Sequence, residues 1–119
     1  MESIGYTVRE LKELKIFDGL LLEALDYYQE TDRVGAAADF VRMAINYEEG
    51  GFYLDLDLYF DKWDMQIHKY FDFFGFSCLE FFKQTLFTWG FLSKPAHYIH
   101  KVYLDIFTKN YLIQKENTN

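Results

Sequence analysis

The apolar positions of this chain change their period along its length, and each change marks a predicted element. From Phe17 to Gln29, Leu21, Leu22, Leu25 and Tyr28 recur at helical spacing, so a helix is predicted with Asp18 placed to cap it. A second helix is predicted over Val34 to Glu49, opening on Ala36, Ala37 and Ala38, which favour helix strongly. Ala38, Val41 and Ile45 form an apolar stripe on it, and Asp39, Arg42 and Asn46 a polar one. Gly50 stops this helix, because glycine takes a left-handed conformation cheaply. The period then switches to two. Phe52, Leu54, Leu56, Leu58 and Phe60 fall on one side of a predicted strand, and Tyr53, Asp55, Asp57 and Tyr59 on the other.

The remaining elements are shorter or less periodic. Ile4 to Val8 has the composition of a short strand. Lys69 to Ser77 predicts another, broken near Gly75, whereas Leu86 to Leu92 fits either a strand or a short helix. Pro95 suits the first position of a last helix running to about Gln114, with Ile99, Val102, Tyr103, Ile106 and Phe107 as its buried stripe. The polar end, Lys115 to Asn119, is expected to fray. No proline-rich linker or repeat divides the chain, so residues 1–119 read as a single domain.

Composition narrows the class. Half of the 119 residues are hydrophobic, which excludes a disordered chain. Thirteen Phe and ten Tyr imply either a bulky core or apolar surface waiting for a missing segment, a partner or a membrane. The formal net charge of −7 argues against binding nucleic acid, which needs a cationic patch. It also means that a diphosphate would be held only through a metal or a few well-placed Arg and Lys. Cys78 is alone and cannot form an internal disulfide. No signal peptide is legible, and the Phe-rich stretch Phe71 to Leu92 carries Asp72, Glu80, Lys83 and Gln84, so it makes a poor membrane span. The expectation is a cytoplasmic protein, soluble or attached peripherally to a membrane or partner subunit through that stretch.

Asp55 and Asp57 are the first candidates for chemistry. On one strand face their carboxylates would lie roughly 7 Å apart, and such a pair becomes favourable when Mn2+ or Mg2+ sits against both. A wet strand face carrying charges explains the pair as well, although aspartate is disfavoured inside strands. Asp39 and Arg42, one helical turn apart, form either a surface ion pair worth roughly 0–1 kcal/mol or a grip on sugar hydroxyls and phosphate oxygens.

The order of the set decides between these readings. Ala-Ala-Ala-Asp-Phe-Val-Arg (Ala36 to Arg42), Gly50-Gly51 and Tyr53-Leu54-Asp55-Leu56-Asp57 together resemble the signature region of glycosyltransferases with a DXD sugar-binding motif. That family includes capsule and lipopolysaccharide sugar transferases, fungal outer-chain mannosyltransferases and the glucosylating clostridial toxins. The resemblance runs without a gap from Gly35 to Leu58. Phe73-Phe74-Gly75-Phe76 and Leu92-Ser93-Lys94-Pro95-Ala96-His97 extend it more weakly. Ala38 departs from it, standing where the family commonly has Ser.

The resemblance implies an α/β fold, a reduced GT-A-like nucleotide-sugar-binding architecture with a small sheet flanked by helices. It implies Asp39 on donor-sugar hydroxyls, Arg42 on sugar and diphosphate, Asp55 near ribose, sugar and metal-bound water, and Asp57 as direct ligand of Mn2+ or Mg2+. Tyr53 shares the carboxylates' strand face and would line the site or simply pack. His97 is an acceptor-side candidate, with capping the plainer role, and His68 and His100 are assigned none. The implied function is metal-dependent transfer of a hexosyl unit, with retention, from a nucleotide sugar such as a UDP-sugar to a saccharide or other hydroxyl acceptor. The alternative is a truncated, non-catalytic relative that binds metal or sugar nucleotide or serves as a subunit, since few residues precede Ala36 to form a base-binding strand.

Overall fold

A computed structural model describes residues 5–59, 61–64, 66–80 and 82–118. Three α-helices and a three-stranded antiparallel sheet make an α/β arrangement: α1 (Gly19–Glu30), α2 (Val34–Glu49), β1 (Gly51–Leu54), β2 (Phe73–Glu80), β3 (Lys83–Ser93) and α3 (Tyr98–Thr118). In the sheet β3 is central, between β1 and β2. Short 3-10 turns at Leu11–Glu13 and Ile67–Lys69 complete the order.

The helices form an aromatic core. Leu25 and Tyr28 of α1, Ala37, Phe40 and Ala44 of α2, and Leu104 and Tyr111 of α3 are all buried. Phe40 stacks on Phe107 with ring centres 4.6 Å apart, and Tyr28 meets the same ring at 4.7 Å. Such pairs add about 0.5–1.5 kcal/mol each beyond their area. Much of the aromatic excess is therefore spent here.

Several expected boundaries move. The α2 limits agree with expectation, but its apolar stripe is rotated by one position: Ala37, Phe40 and Ala44 are buried, while Ala38 is exposed. The supposed polar stripe is split, with Asn46 buried and Arg42 nearly so while Asp39 stays open to solvent. Ile4 lies outside the described residues, and residues 6–8 form no strand. The ambiguous stretch Leu86 to Leu92 belongs to β3. Pro95 and Ala96 make a turn, Ala96 at φ +58°, and α3 begins only at Tyr98. Its buried face is His100, Leu104 and Tyr111, and Ile106 is exposed. His100 displaces the expected stripe because both of its ring nitrogens find partners inside, as described below.

The sheet is packed on both faces near β1. Tyr53 and Phe91 stack at 5.4 Å, and Phe73 and Phe91 meet the His100 ring of α3 on that same side. On the other side Trp63, from the connection between β1 and β2, stacks on Phe52 at 5.1 Å and touches Phe74 edge-on. Farther out the β2–β3 hairpin is exposed from Lys83 to Leu86. The radius of gyration of 15.9 Å exceeds the value of about 13–14 Å expected for a compact domain of this length.

Candidate functional site

The site is assembled where α2 turns into β1. Gly50, at φ +69° and ψ −164°, reverses the chain, and its N–H closes the helix on the Asn46 carbonyl at 2.9 Å. A Cβ at Gly50 would lie 2.7 Å from Pro95 Cδ and 2.9 Å from the Ser93 carbonyl, so the turn is seated directly against the end of β3. This close approach brings the Arg42 side chain of α2 over the C-terminal end of β1.

Strand β1 stops at Leu54, well before Phe60, which lies outside the described residues. The Asp55 N–H still bonds to the Trp89 carbonyl at 2.8 Å, and then the chain turns: the Leu58 N–H bonds back to the Asp55 carbonyl at 3.2 Å. Asp55 is thus the first residue of a four-residue turn and Asp57 the third, with Leu56 between them fully exposed. The period-two run misled because a turn can also place residues i and i+2 in alternation. The aspartates themselves, poor in strands and good in turns, were the contrary signal.

Four of the expected residues converge. Arg42 Nη1 lies 3.4 Å from Asp55 Oδ1, and Nη2 lies 3.3 Å from Asp39 Oδ1. The guanidinium carbon sits 4.7 Å above the Tyr53 ring. The Tyr53 hydroxyl donates to Asp55 Oδ1 at 2.5 Å. Burial first, and then this bond to a carboxylate, push the Tyr53 phenol up to about 12, so it stays protonated and keeps donating. Side-chain exposure grades across the cluster, from 13% for Arg42 through 32% for Asp55 to 43% for Asp39. The cation is inside, and the carboxylates open toward solvent.

Asp57 stands apart from this cluster, exposed in the turn and without a hydrogen bond or ion pair to another described residue. Among the described residues no three His, Cys, Asp or Glu side chains gather into a cage for a metal ion. The donor set fits a hard divalent ion nonetheless. Mg2+ and Mn2+ are commonly held by one or two carboxylates, with substrate phosphates and water completing the shell. Asp55 and Asp57, two residues apart on one short turn, offer carboxylates of that kind.

The histidines divide by role. His97 caps α3: its Nδ1 accepts from the Ile99 N–H at 3.2 Å, and its carbonyl accepts from the His100 N–H at 3.1 Å. His100 is 1% exposed, with Nε2 2.7 Å from Ser93 Oγ and Nδ1 3.2 Å from Met43 Sδ. A thioether only accepts, so Nδ1 carries the proton and Nε2 accepts from the Ser93 hydroxyl. Burial, with a smaller push from His97, brings the His100 pKa down to about 4. It is a neutral structural histidine. An apolar hollow of about 600 Å³, walled by Phe52, Trp63, Phe71, Leu92 and Pro95, shares no residue with the Arg42 cluster.

Sequence reasoning missed the backbone carbonyls of Thr88 and Trp89, which hold Arg42 at 2.8 Å and the Asp55 N–H at 2.8 Å. Backbone groups leave no residue-type signal. Among the described residues no helix is long and apolar enough to cross a membrane.

The model of the glycosyltransferase sugar-binding region containing the DXD motif matches residues 8–73. The matched span takes in α1, α2, β1 and the Asp55–Asp57 turn, more than half of the chain. Comparisons with curated proteins and with solved structures find no match. With both Asp39-x-x-Arg42 and Asp55-x-Asp57 inside the matched span, the chain belongs to the glycosyltransferase family defined by a DXD-containing sugar-binding region.

Proposed function

We propose that this domain binds a nucleotide sugar, specifically a UDP-hexose, and transfers the hexosyl unit with retention to a saccharide or other hydroxyl acceptor. The observation that carries this reading is the convergence of Asp39, Arg42, Tyr53 and Asp55 on one patch, with Asp57 in the adjoining turn. In the transfer the bond from the anomeric carbon to the diphosphate oxygen breaks, and UDP leaves with that electron pair. A bond from the anomeric carbon to the acceptor oxygen forms, and the proton of the acceptor hydroxyl passes to the departing diphosphate.

Each residue has a part consistent with its position. Asp39, the most exposed member of the cluster, accepts hydrogen bonds from donor-sugar hydroxyls. Asp55, fixed by Tyr53 and by its own N–H on β3, offers its second carboxylate oxygen toward the ribose and the metal shell. Asp57 would be the direct ligand of Mn2+ or Mg2+, which when bound would supply positive charge against the departing diphosphate. Holding the sugar by Asp39 while the diphosphate is held at the turn fixes the breaking bond in place, the entropic part of catalysis. The residues 1–119 act as one domain in this reading.

A binding-only reading has the same cluster hold the donor without transfer. The two readings separate by turnover. Incubation of the full chain with UDP-hexoses and Mn2+ should release UDP, and the release should vanish in Asp57→Ala. Binding of the donor without release of UDP would favour the non-catalytic role, and absence of binding would remove both.

A further inference from the structure

Past the donor cluster β3 runs on into a free ribbon. Strand β1 is paired with β3 as far as Gly90, and the Thr88 and Trp89 carbonyls meet Arg42 and the Asp55 N–H. From Thr88 to Phe82 the chain then covers roughly 20 Å at the rise of a strand. Over that length β2 and β3 continue as a pair, Ser77 with Leu86, Leu79 with Gln84 and Glu80 with Lys83.

Cross-strand partners share a side of such a ribbon, and the sides alternate along each strand. Ser77, Leu79, Gln84 and Leu86 therefore share one face, where the Gln84 amide donates to Ser77 Oγ at 3.3 Å. On that face Leu79 is 73% exposed and Leu86 46%. At the tip Phe82 is 99% exposed and stands at φ +63°. A bulky residue rarely takes this left-handed conformation, whereas glycine and asparagine take it readily. A phenylalanine there leaves its ring in water and strains the backbone, so the fold itself gains nothing from it.

We propose that the β2–β3 hairpin is a membrane-docking element whose tip, Phe82 with Leu79 and Leu86 behind it, inserts into the interface of a zwitterionic lipid bilayer. A stable protein interface takes about 20–30 residues a side, far more than three apolar side chains on a ribbon two strands wide. A lipid surface needs no matching shape, and aromatic side chains suit its interface. Charge selects the lipid. Glu80 and Lys83 beside the tip cancel, and a chain of net charge −7 is repelled by an anionic leaflet. Among the described residues no helix can cross the bilayer, so the contact stays at interface depth, where water still reaches the backbone of the turn. Docking of this kind needs no bound donor.

The test is flotation of the full chain with vesicles of pure phosphatidylcholine at millimolar lipid, in low and in high salt. The wild type should float equally in both. Phe82→Asn should unfold in urea no earlier than the wild type, because asparagine accepts the left-handed turn. It should also partition about 10–100-fold more weakly, which is what burying one phenylalanine is worth. The emission of Phe82→Trp should move to the blue with vesicles, over the wild-type background of Trp63 and Trp89. A wild type that stays at the bottom of the gradient overturns the proposal, as does a Phe82→Asn protein that floats as well as the wild type. Flotation only with anionic lipid and only in low salt assigns the contact to charge and rejects the inserted tip. A wild type that does not float but sediments as a dimer, lost in Phe82→Asn, rejects the bilayer in favour of a second copy of the chain.

Discussion

Gly50 links the helix that carries Arg42 to the strand that carries Asp55, and alanine there should be costly for two separable reasons. The backbone at φ +69° and ψ −164° is a conformation open almost only to glycine, and forcing another residue into it costs about 1–3 kcal/mol. The added methyl would also sit 2.7 Å from Pro95 Cδ, 2.8 Å from Pro95 N and 2.9 Å from the Ser93 carbonyl. These are backbone and ring atoms that cannot swing away, and overpacking of this kind costs about 1–3 kcal/mol more. Gly50→Ala should therefore lose about 2–6 kcal/mol, a large part of a typical domain's stability. Two other glycines separate the terms. Gly51, at φ +108° with open space at its Cβ, carries only the backbone part. Gly35 lies in the first turn of α2 with open space and no positive φ, so Gly35→Ala should gain about 0.5–1 kcal/mol. Urea unfolding of the three variants, followed by circular dichroism, gives the ranking directly. Should Gly50→Ala prove no worse than Gly51→Ala, the close seating of the α2–β1 turn on Pro95 is wrong, and the positioning of Arg42 with it.

Three further outcomes follow from the same structure. His100, with its folded pKa lowered to about 4 from 6.5, binds its proton more readily in the unfolded chain. Stability is therefore full above pH 6.5 and falls as pH drops toward 4, by roughly 3 kcal/mol in all at 1.36 kcal/mol per unit. Urea midpoints at pH 7 and pH 5 should differ less in His100→Gln than in the wild type, and an equal difference would rule His100 out as the cause. Glu48 accepts from the Lys15 and Ile16 backbone N–H groups at 2.9 and 2.8 Å, so Glu48→Ala should cost about 2 kcal/mol. Protection of those two amides against hydrogen exchange should fall with it. Tyr53→Phe keeps the ring under Arg42 and removes the hydroxyl donated to Asp55. Because Asp55 is about a third exposed, the loss should be about 1 kcal/mol after screening, read in the same unfolding assay.

What the sequence disclosed depended on whether a feature lived in side-chain type or in backbone geometry. The α2 boundaries were legible because alanines, helical spacing and a following glycine all agree, and Gly50 does end the helix. The Asp39, Arg42 and Asp55 grouping was legible only through the resemblance of the whole pattern to the DXD family, since neither pair taken alone pointed past a charged surface. The strand expected to run on to Phe60 was not, since hydrophobic alternation continued past the point where Asp55 and Asp57 turn the chain. His100 was passed over because no motif surrounds it. Its meaning lies in Ser93 and Met43, which come from distant elements. The irregular pairing of β2 with β3 between Gly75 and Ser77 was invisible for a deeper reason: what β3 contributes beside it is the Thr88 and Trp89 carbonyl oxygens, which every residue type possesses. The break expected near Gly75 was its one outward sign.

Titration calorimetry of the wild-type chain and Asp57→Ala with a UDP-hexose, each with Mn2+ and with a chelator, tests the central claim most directly. Saturable heat should appear only for the wild type with Mn2+ and disappear in Asp57→Ala, whose circular dichroism stays native because that side chain is exposed. Equal binding in the chelator, or undiminished binding by Asp57→Ala, would contradict a donor held through a metal at the turn after β1.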